Sequence, residues 1–286
     1  MLSVVIPALN EEDAIAGTID ELRNVLTAAN ITPFEIIVVN DGSTDATEER
    51  ARAAGARIVN HPHNVGYGRS LKDGIRAAGY KTICITDADL TYPADAIPGL
   101  LEEYKKGFDL VVGARTGHHY SGSVFKGPLR SILKFMVEFT AQRKVPDANS
   151  GLRIFDRDTI TTYFDHLCDT FSFTTSQTLA YSMTGRFIKH VPIAYKARVG
   201  KTKVKLFKDS MRTIQYIIQS MLYYNPLKIF ILFAGLATAL SLASFGVALA
   251  TKLTTPYYLG VGGMLIALLI FSMGLLADLL RQIMVK

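Results

Sequence analysis

The sequence has no tryptophan and only two cysteines among its 286 residues. Cys84 and Cys168 lie far apart in the chain, and we expect no disulfide between them. Neither cysteine stands at a spacing typical of metal ligands. The scarcity of cysteine therefore argues against a disulfide-stabilised scaffold and against a cysteine-based metal site.

Two common phosphate-binding motifs are also missing. No glycine-rich loop ends in Gly-Lys-Ser/Thr, which excludes a P-loop enzyme. Residues 66–71 resemble a dinucleotide-binding fingerprint, but the sixth position is Leu71 and the stretch does not follow the first predicted strand. We therefore expect no NAD binding. Arg69 and Lys72 either help to hold phosphates or lie on a solvated helix face.

Long apolar runs are present at the end of the chain. Residues 226–250 and 257–280 are almost wholly apolar, and each run has the length that a helix needs to cross a bilayer. We predict two membrane-spanning helices. The early sequence is too polar for a cleavable signal, so we expect the preceding domain to stay in the cytoplasm. The polar residues concerned are Asn10, Glu11, Glu12, Asp13, Asp20, Glu21 and Arg23.

The net charge of +6 is concentrated near these apolar runs. Only Lys252 lies in the short connection between the runs, whereas basic residues flank both outer ends. This bias places both ends of the hairpin on the cytoplasmic side of the cell membrane. It favours anionic lipid over nucleic acid as the partner of the basic residues. These residues are Lys201, Lys203, Lys205, Lys208, Arg212 and Lys228 before the first run, and Arg281 and Lys286 after the second.

The first part of the chain alternates strand and helix patterns. Asn10 to Asp13 supply capping and acidic residues for a helix that runs to about Ala29. Such alternation predicts a mostly parallel α/β sheet with right-handed crossovers. The predicted strands are residues 2–7, 34–40, 56–60, 82–86 and 109–114, and residues 147–155 and 191–193 are predicted to add further pieces of the sheet.

Polar residues follow the predicted strands at the edge where α/β sheets bind ligands. Asn10 and Glu11 follow the first strand, Asp41 the second, and Arg115 the fifth. The fourth strand ends in Asp87-Ala88-Asp89, in which the alternation of side chains directs both carboxylates to one side. Paired carboxylates suit Mg²⁺ or Mn²⁺ that also binds nucleotide phosphates. The alternative is an ordinary turn before Pro93, and the convergence of charges makes the metal and nucleotide site the better hypothesis.

Two amphipathic helices follow the α/β region. Gly127-Pro128 begins the first, and its apolar residues recur at spacings of three and four. This helix either faces the protein core or lies in the membrane interface. The second runs from about Val204 to Tyr224 and leads into the first apolar run. The apolar positions of the first helix are Leu129, Ile132, Leu133, Met136 and Val137.

Six motifs in this order resemble the family 2 glycosyltransferases of GT-A fold, and within them the polyprenyl-phosphate sugar transferases typified by dolichol-phosphate mannose synthase. The resemblance covers essentially the whole chain. It implies a Rossmann-like catalytic domain and metal-dependent, inverting transfer of a sugar from a nucleotide sugar to undecaprenyl or dolichyl phosphate. The motifs are VIPALNE at 5–11, VVNDGSTD at 38–45, NVG at 64–66, DADL at 87–90, GAR at 113–115 and NSGLR at 149–153.

The resemblance also implies roles for single residues. Asp87 and Asp89 would hold the metal against the donor diphosphate, with Ala88 between them. Arg115 and Arg130 would receive the acceptor phosphate, and Asp89, Arg115 and Arg130 are the candidate catalytic residues. The nucleoside would be cradled by Pro7, Leu9, Glu11, Val39 and Asp41, and Arg198 and Lys203 are placed in the segment that closes over the donor. The chain departs from the usual pattern at Leu9 (tyrosine in relatives), Asn40 (aspartate) and Thr91 (a metal-binding glutamine).

Several alternatives remain at this stage. A UDP-hexose donor is favoured over GDP-mannose, and an inactive membrane-tethered scaffold is the rival from another class. A processive polysaccharide synthase is disfavoured because its Gln-x-x-Arg-Trp motif requires a tryptophan. We predict a catalytic domain at 1–203, a juxtamembrane helix at 204–225 and a hairpin at 226–286. Small residues four apart would allow close packing within the hairpin or in a homo-oligomer; these are Gly235 with Ala239, and Gly246 with Ala250.

Overall fold

The computed structural model of the chain describes residues 1–117, 127–197 and 206–284. The chain forms two compact units, Met1–Ile217 and Ile218–Lys286. The first contains a mixed α/β sheet, and the second contains two long apolar helices. The predicted division at residues 203 and 225 remains a proposal.

The sheet of the first unit has seven strands in the order β3-β2-β1-β4-β6-β5-β7. Every pairing is parallel except those that β6 makes with β4 and β5. Six strands therefore run in one direction and β6 alone runs in the other, which confirms the predicted mostly parallel sheet. The strands are β1 Leu2–Ala8, β2 Phe34–Asn40, β3 Arg57–Asn60, β4 Thr82–Ile85, β5 Leu110–Thr116, β6 Arg153–Asp156 and β7 Ile188–Ala194.

Helices follow most of the strands, as the alternation predicted. Both predicted amphipathic helices are present, as α5 (Gly127–Ala141) and α8 (Leu206–Tyr224). The helices of the first unit are α1 Ile15–Ala28, α2 Thr47–Ala53, α3 Tyr67–Ala77, α4 Ile97–Lys105, α5 Gly127–Ala141, α6 Arg157–Thr161 and α7 Phe173–Met183. The helix α8, Leu206–Tyr224, carries the boundary between the units.

Both faces of β1 are buried, because its side chains alternate between two layers of helices. Val4 and Ile6 belong to one apolar cluster with Ile19 of α1. Val5 is fully buried on the other face, where a Cβ on Gly74 of α3 would lie only 2.4 Å from its Cγ1. Full burial of one such aliphatic side chain stabilises the fold by about 1.5 to 3 kcal/mol. The sheet is thus a rigid base for the loops at its edges.

The beginning of α1 differs from the prediction. The helix begins at Ile15, and its N-cap Ala14 makes no side-chain capping bond. The polar residues before it pair instead with the turn after β2, since Asn10 Oδ1 accepts from Thr44 N at 2.8 Å and Glu11 N donates to Thr47 Oγ1 at 2.8 Å. Contacts between two distant loops therefore replace the local capping that was expected.

The second unit contains a helical hairpin. Its helices are α9 Pro226–Thr251 and α10 Thr254–Met284, and both are long and apolar enough to cross a membrane. The connection between the helices is two residues long and ends before Thr254. Its first residue, Lys252, adopts a left-handed conformation with φ of 58°. Ser244 Oγ donates across the hairpin to Pro256 O at 2.7 Å. The predicted pair of candidate spanning helices is confirmed.

The close packing of the hairpin uses other glycines than the predicted ones. A Cβ on Gly274 of α10 would lie 2.5 Å from Phe230 Cβ, and one on Gly260 would lie 2.7 Å from Phe245. No atom of a neighbouring element lies within 4 Å of a Cβ placed on Gly235 or Gly246 in the described part of the chain. These two residues thus do not serve packing within the hairpin, and a role between chains stays a prediction.

Candidate active site

The carboxyl ends of the parallel strands meet at one edge of the sheet and bring the predicted polar residues together. Ala8 at the end of β1 is in register with Asn40 at the end of β2, and Asp41 N donates to Ala8 O at 2.8 Å. On the other side of β1, Thr86 N donates to Val5 O at 3.2 Å. The predicted convergence of strand ends is confirmed by this pairing.

The loop after β4 holds the two aspartates in a tight turn. Leu90, directly after Asp89, adopts a left-handed conformation with φ of 61° in a bend of the chain. The carbonyl of Ala88 accepts a hydrogen bond from Thr18 Oγ1 of α1 at 2.9 Å. Ala88 stands between the two aspartates in sequence, and its backbone carbonyl therefore ties the turn to α1.

Each carboxylate of the pair accepts a hydrogen bond from a hydroxyl group. Tyr67 Oη donates to Asp87 Oδ1 at 3.0 Å, and Thr91 Oγ1 donates to Asp89 Oδ1 at 2.5 Å. Burial, followed by the charge of Asp87, raises the pKa of Tyr67 above its ordinary value. A phenol is protonated at neutral pH even without such a shift, so Tyr67 is the donor. Asp89 and Thr91 are both buried. The two hydroxyls thus restrict the orientation of both carboxylates.

The donor set fits a hard divalent cation. Two carboxylates suffice for Mg²⁺ or Mn²⁺ when substrate phosphates and water supply the other ligands. A Cβ on Gly151 would lie 2.8 Å from Asp87 Oδ1, so only glycine lets the backbone pass beside this carboxylate. Among residues 1–117, 127–197 and 206–284, no group of three or more His, Cys, Asp or Glu side chains is arranged to hold a metal ion by itself. A metal would therefore be shared between the protein and its substrate.

Asp41 is turned toward the protein rather than toward the edge. Its buried carboxylate accepts hydrogen bonds from His61 Nδ1 at 2.8 Å, Val65 N at 2.9 Å and Gly66 N at 3.0 Å. These contacts hold the loop that leads from β3 into α3. A direct role of Asp41 in binding the nucleoside stays a prediction.

The other residues predicted to cradle the nucleoside lie along β1 and β2. Pro7 is in register with Val39, which is fully buried, and Pro7 is half-buried. Leu9 and Glu11 follow β1 and are half-buried. Their positions at the edge agree with the predicted cradle, whose binding role remains untested.

At the end of β5, the half-buried Arg115 forms a bidentate ion pair with the buried Asp147. Its Nε and Nη2 donate to the two oxygens of Asp147 at 2.7 and 2.9 Å. Burial alone would raise the pKa of Asp147, but the hydrogen bonds and charge of Arg115 outweigh this effect and lower the pKa below 3.8. The guanidinium also lies 5.4 Å from the ring centroid of Tyr195. Asp147 and Tyr195 therefore fix the orientation of Arg115.

The remaining predicted residues fall at or beyond the limits of the described structure. The backbone of Arg130 lies in α5, and its side chain is outside the described part. Arg198 and Lys203 also lie outside the described residues.

The position of Lys72 corrects the prediction of a solvated helix face. Its ammonium is buried and donates to Leu167 O at 2.7 Å and to Asp169 Oδ1 at 2.6 Å. It does not lie on a solvated helix face.

Sequence reasoning missed Tyr67, Asp147 and Tyr92 as parts of the site. Tyr92 Oη accepts from Gly151 N at 2.6 Å, which fixes the loop before β6 beside the aspartates. Tyr67 directly follows the Asn-Val-Gly motif, and Asp147 stands two residues before the Asn-Ser-Gly motif, so both lay beside recognised signals. Their partners are far away in sequence, which the motifs do not reveal.

The mixed sheet with polar residues at its carboxyl edge is typical of the GT-A fold of glycosyltransferases. The model of the glycosyl transferase family 2 matches residues 3–164, which is more than half of the chain. The chain therefore belongs to glycosyl transferase family 2, and the resemblance drawn from the motifs is confirmed.

Two relatives come from the archaeon Haloferax volcanii. The low-salt glycan biosynthesis hexosyltransferase Agl6 is 32% identical over 227 residues, which are 76% of this chain and 53% of that protein. The dolichyl-phosphate hexose transferase is 28% identical over 214 residues, 72% of this chain and 87% of that protein. The chain spans about half the length of the first of these relatives.

A solved structure shares the fold of the first unit. Glucosyl-3-phosphoglycerate synthase from Mycobacterium tuberculosis, in complex with Mn²⁺, UDP and glucosyl-3-phosphoglycerate, has a TM-score of 0.61 and 25% sequence identity. The similarity covers 77% of this chain and 79% of that one. The GT-A class assigned from the sheet and its edge is thus found in an independent comparison.

Proposed function

We propose that this protein transfers a hexose from a UDP-sugar to a membrane polyprenyl phosphate, with inversion at the anomeric carbon. The observation that carries the proposal is the pair Asp87 and Asp89, held by hydroxyls at the carboxyl edge of the sheet. The two candidate spanning helices of the same chain would keep the enzyme beside a lipid acceptor. The dolichyl-phosphate hexose transferase among the relatives supports this class of acceptor.

The proposed chemistry needs no strong general base. A phosphate monoester has a second pKa of about 6, so the acceptor is mostly a dianionic nucleophile at neutral pH. The main requirement is to neutralise charge as two phosphate groups approach each other. A divalent cation held by Asp87 and Asp89 would neutralise the leaving diphosphate. Arg130 would attract the acceptor phosphate, because a guanidinium group can bind two phosphate oxygens at once. Arg115 would offer the acceptor only the N–H groups that its bidentate pair with Asp147 leaves over.

A screen of nucleotide sugars tests the proposal. The full chain in nanodiscs would be given labelled UDP-glucose, UDP-galactose, UDP-N-acetylglucosamine or GDP-mannose with undecaprenyl or dolichyl phosphate. We expect labelled lipid from a UDP-sugar, and tighter binding of UDP than of GDP by calorimetry. Lipid labelled only from GDP-mannose would support the mannose synthase alternative, whereas donor binding without any transfer or hydrolysis would support the scaffold.

The helix α5 supports contact with a bilayer. Ile132 and Phe135 are 53% and 67% exposed, and the Phe135 ring stacks on Phe139 with centroids 6.1 Å apart. Residues at spacings of three and four lie on one side of a helix, so these three form an outward apolar stripe. Val137 is buried on the opposite side. We infer that this stripe lies in the membrane interface and that the backbone of Arg130 is close to lipid headgroups.

Arg130→Ala is expected to reduce transfer to lipid by about 2 to 4 kcal/mol in transition-state terms while donor affinity changes little. Arg130→Lys should recover only part of the rate, because a point charge cannot bind two phosphate oxygens as a guanidinium does. Lys134→Ala is the matched control, since Lys134 is an exposed cation one turn along the same helix. Steady-state rates against lipid phosphate and donor-binding isotherms check this prediction. Equal rates for Arg130→Ala and Lys134→Ala would remove Arg130 from the acceptor site.

The topology gives a second prediction. Both ends of the hairpin are expected in the cytoplasm, because basic residues flank them and only Lys252 lies in the connection. Single cysteines would replace Thr254 or Lys286 in a chain without Cys84 and Cys168. An impermeant thiol reagent on intact cells should label position 254 and leave position 286 unlabelled until the cells are opened. The reverse pattern would place the catalytic unit outside the cell.

A further inference from the structure

We infer that Tyr67 is a positioning residue for the metal site, which it serves by orienting Asp87 through its phenolic hydroxyl. The inference rests on the proposed function, because it assumes that Asp87 holds the divalent cation. Tyr67 Oη donates to Asp87 Oδ1 at 3.0 Å, and the ring is half-buried beside the loop. Hydrogen bonds to a ligating carboxylate restrict its rotation, and their loss typically weakens metal binding.

The backbone around Tyr67 is built to hold this side chain in one place. Gly66 has a φ of 112°, and its N–H donates to the buried carboxylate of Asp41 at 3.0 Å. On the other side, a Cβ on Gly68 would lie 2.2 Å from Cys168 O, so no other residue fits there without movement. Tyr67 is therefore fixed on both sides by glycines that allow close contact.

The segment 167–172, from a distant part of the chain, supports the start of α3. Arg69 N donates to Asp169 O at 2.9 Å, and the buried ammonium of Lys72 donates to Leu167 O at 2.7 Å and to Asp169 Oδ1 at 2.6 Å. The ring of Phe171 lies with its centroid 6.0 Å from that of Tyr67. The buried ammonium of Lys72 thus ties α3, which begins at Tyr67, to this segment.

The other carboxylate has an equivalent partner. Thr91 donates to Asp89 Oδ1 from its hydroxyl at 2.5 Å and from its backbone N–H at 3.2 Å. One hydroxyl from the start of α3 and one from the same turn thus orient the two carboxylates. The pair Thr91→Val and Thr91→Ser separates the hydroxyl from the size of the side chain, since only serine keeps the donor.

Tyr67→Phe tests the inference, because it removes the hydroxyl and retains the ring beside Phe171. The probe is Mn²⁺, whose binding to the full chain with UDP is measured by electron paramagnetic resonance. We expect Mn²⁺ affinity to fall about 10 to 100-fold, with the unfolding temperature and the affinity for UDP in chelator unchanged. Tyr163→Phe is the matched control, since its hydroxyl pairs with Thr184 at 2.9 Å and not with an aspartate.

The outcomes distinguish this inference from the proposed function. If the wild-type chain with UDP binds no Mn²⁺, the metal site itself is wrong and the inference is lost with it. If the wild type binds Mn²⁺ and Tyr67→Phe binds it as tightly as Tyr163→Phe does, only the inference is overturned. If Tyr67→Phe unfolds at a lower temperature, Mn²⁺ binding is compared where it and Tyr163→Phe are both fully folded: weaker binding by Tyr67→Phe supports the inference, and equal binding overturns it. Weaker Mn²⁺ binding in Thr91→Val, restored in Thr91→Ser, would extend positioning by hydroxyls to Asp89.

Discussion

Asp89→Asn is expected to lower sugar transfer by about 100-fold or more, the effect of losing one preorganised electrostatic contact in an active site. The fold should survive, because the amide oxygen of asparagine can still accept the hydrogen bond that Thr91 Oγ1 gives to Asp89 Oδ1. What is lost is the negative charge that a divalent cation requires. Transfer rates and unfolding temperatures of wild type and variant check both parts.

The matched control for this substitution is Asp95→Asn. Asp95 is an exposed aspartate in the 3₁₀ turn Ala94–Ala96, so the variant makes the same change of charge without altering Asp87 or Asp89. It should transfer sugar at the wild-type rate. A chelator should abolish transfer by the wild type, and full turnover in excess chelator would contradict metal dependence altogether.

Arg115→Met is expected to lower the free energy of unfolding by about 3 to 5 kcal/mol, because it leaves the buried carboxylate of Asp147 without its charged partner. For a unit of this size the unfolding temperature should fall by about 10 °C. A thiol-reactive fluorogenic dye can report unfolding, since Cys84 and Cys168 are free and buried in the folded chain. Arg52→Met is the control, because its solvent-exposed pair with Glu48 should contribute little to stability.

The destabilisation caused by Arg115→Met should become smaller as the pH falls. Arg115 holds the pKa of Asp147 below its ordinary value, so the pair stabilises the fold above the unfolded pKa of about 3.9. This contribution is lost as the pH falls through the folded pKa. The difference in stability between the wild type and Arg115→Met should therefore be large at pH 7 and narrow below about pH 4. A difference that is the same at both pH values would contradict the ion-pair explanation.

The double variant Arg115→Met/Asp147→Leu separates stability from acceptor binding. Replacing both partners by apolar residues should recover much of the stability, since no buried charge remains. If the recovered protein still fails to transfer sugar to lipid, the loss of activity belongs to Arg115 itself. If transfer returns with stability, Arg115 serves the fold and not the acceptor.

Local patterns were enough to predict most elements of this protein. The strands β1 and β2 are mostly apolar runs bounded by polar turns. The candidate spanning helices, of 26 and 31 residues, are longer than the other helices in the described part of the chain. Since parallel strands end at the same edge, the order of the elements also predicted that Asp41, Asp87 and Arg115 converge there. These features depend on residues close in sequence, whose periodicity is visible without a structure.

The partners of the site residues became visible only in the folded chain. The strand β6 runs opposite to its neighbours, so the loop before it lies at the carboxyl edge of the other strands. This loop brings Asp147 to Arg115 and Gly151 to Asp87. Asp41 likewise turns inward because distant backbone N–H groups reach it. A strand's direction and a hydroxyl's partner depend on contacts between residues far apart in sequence. The residue pattern of a single segment indicates whether that segment forms a strand or a helix. Which side chains come into contact is decided by the packing of all segments together.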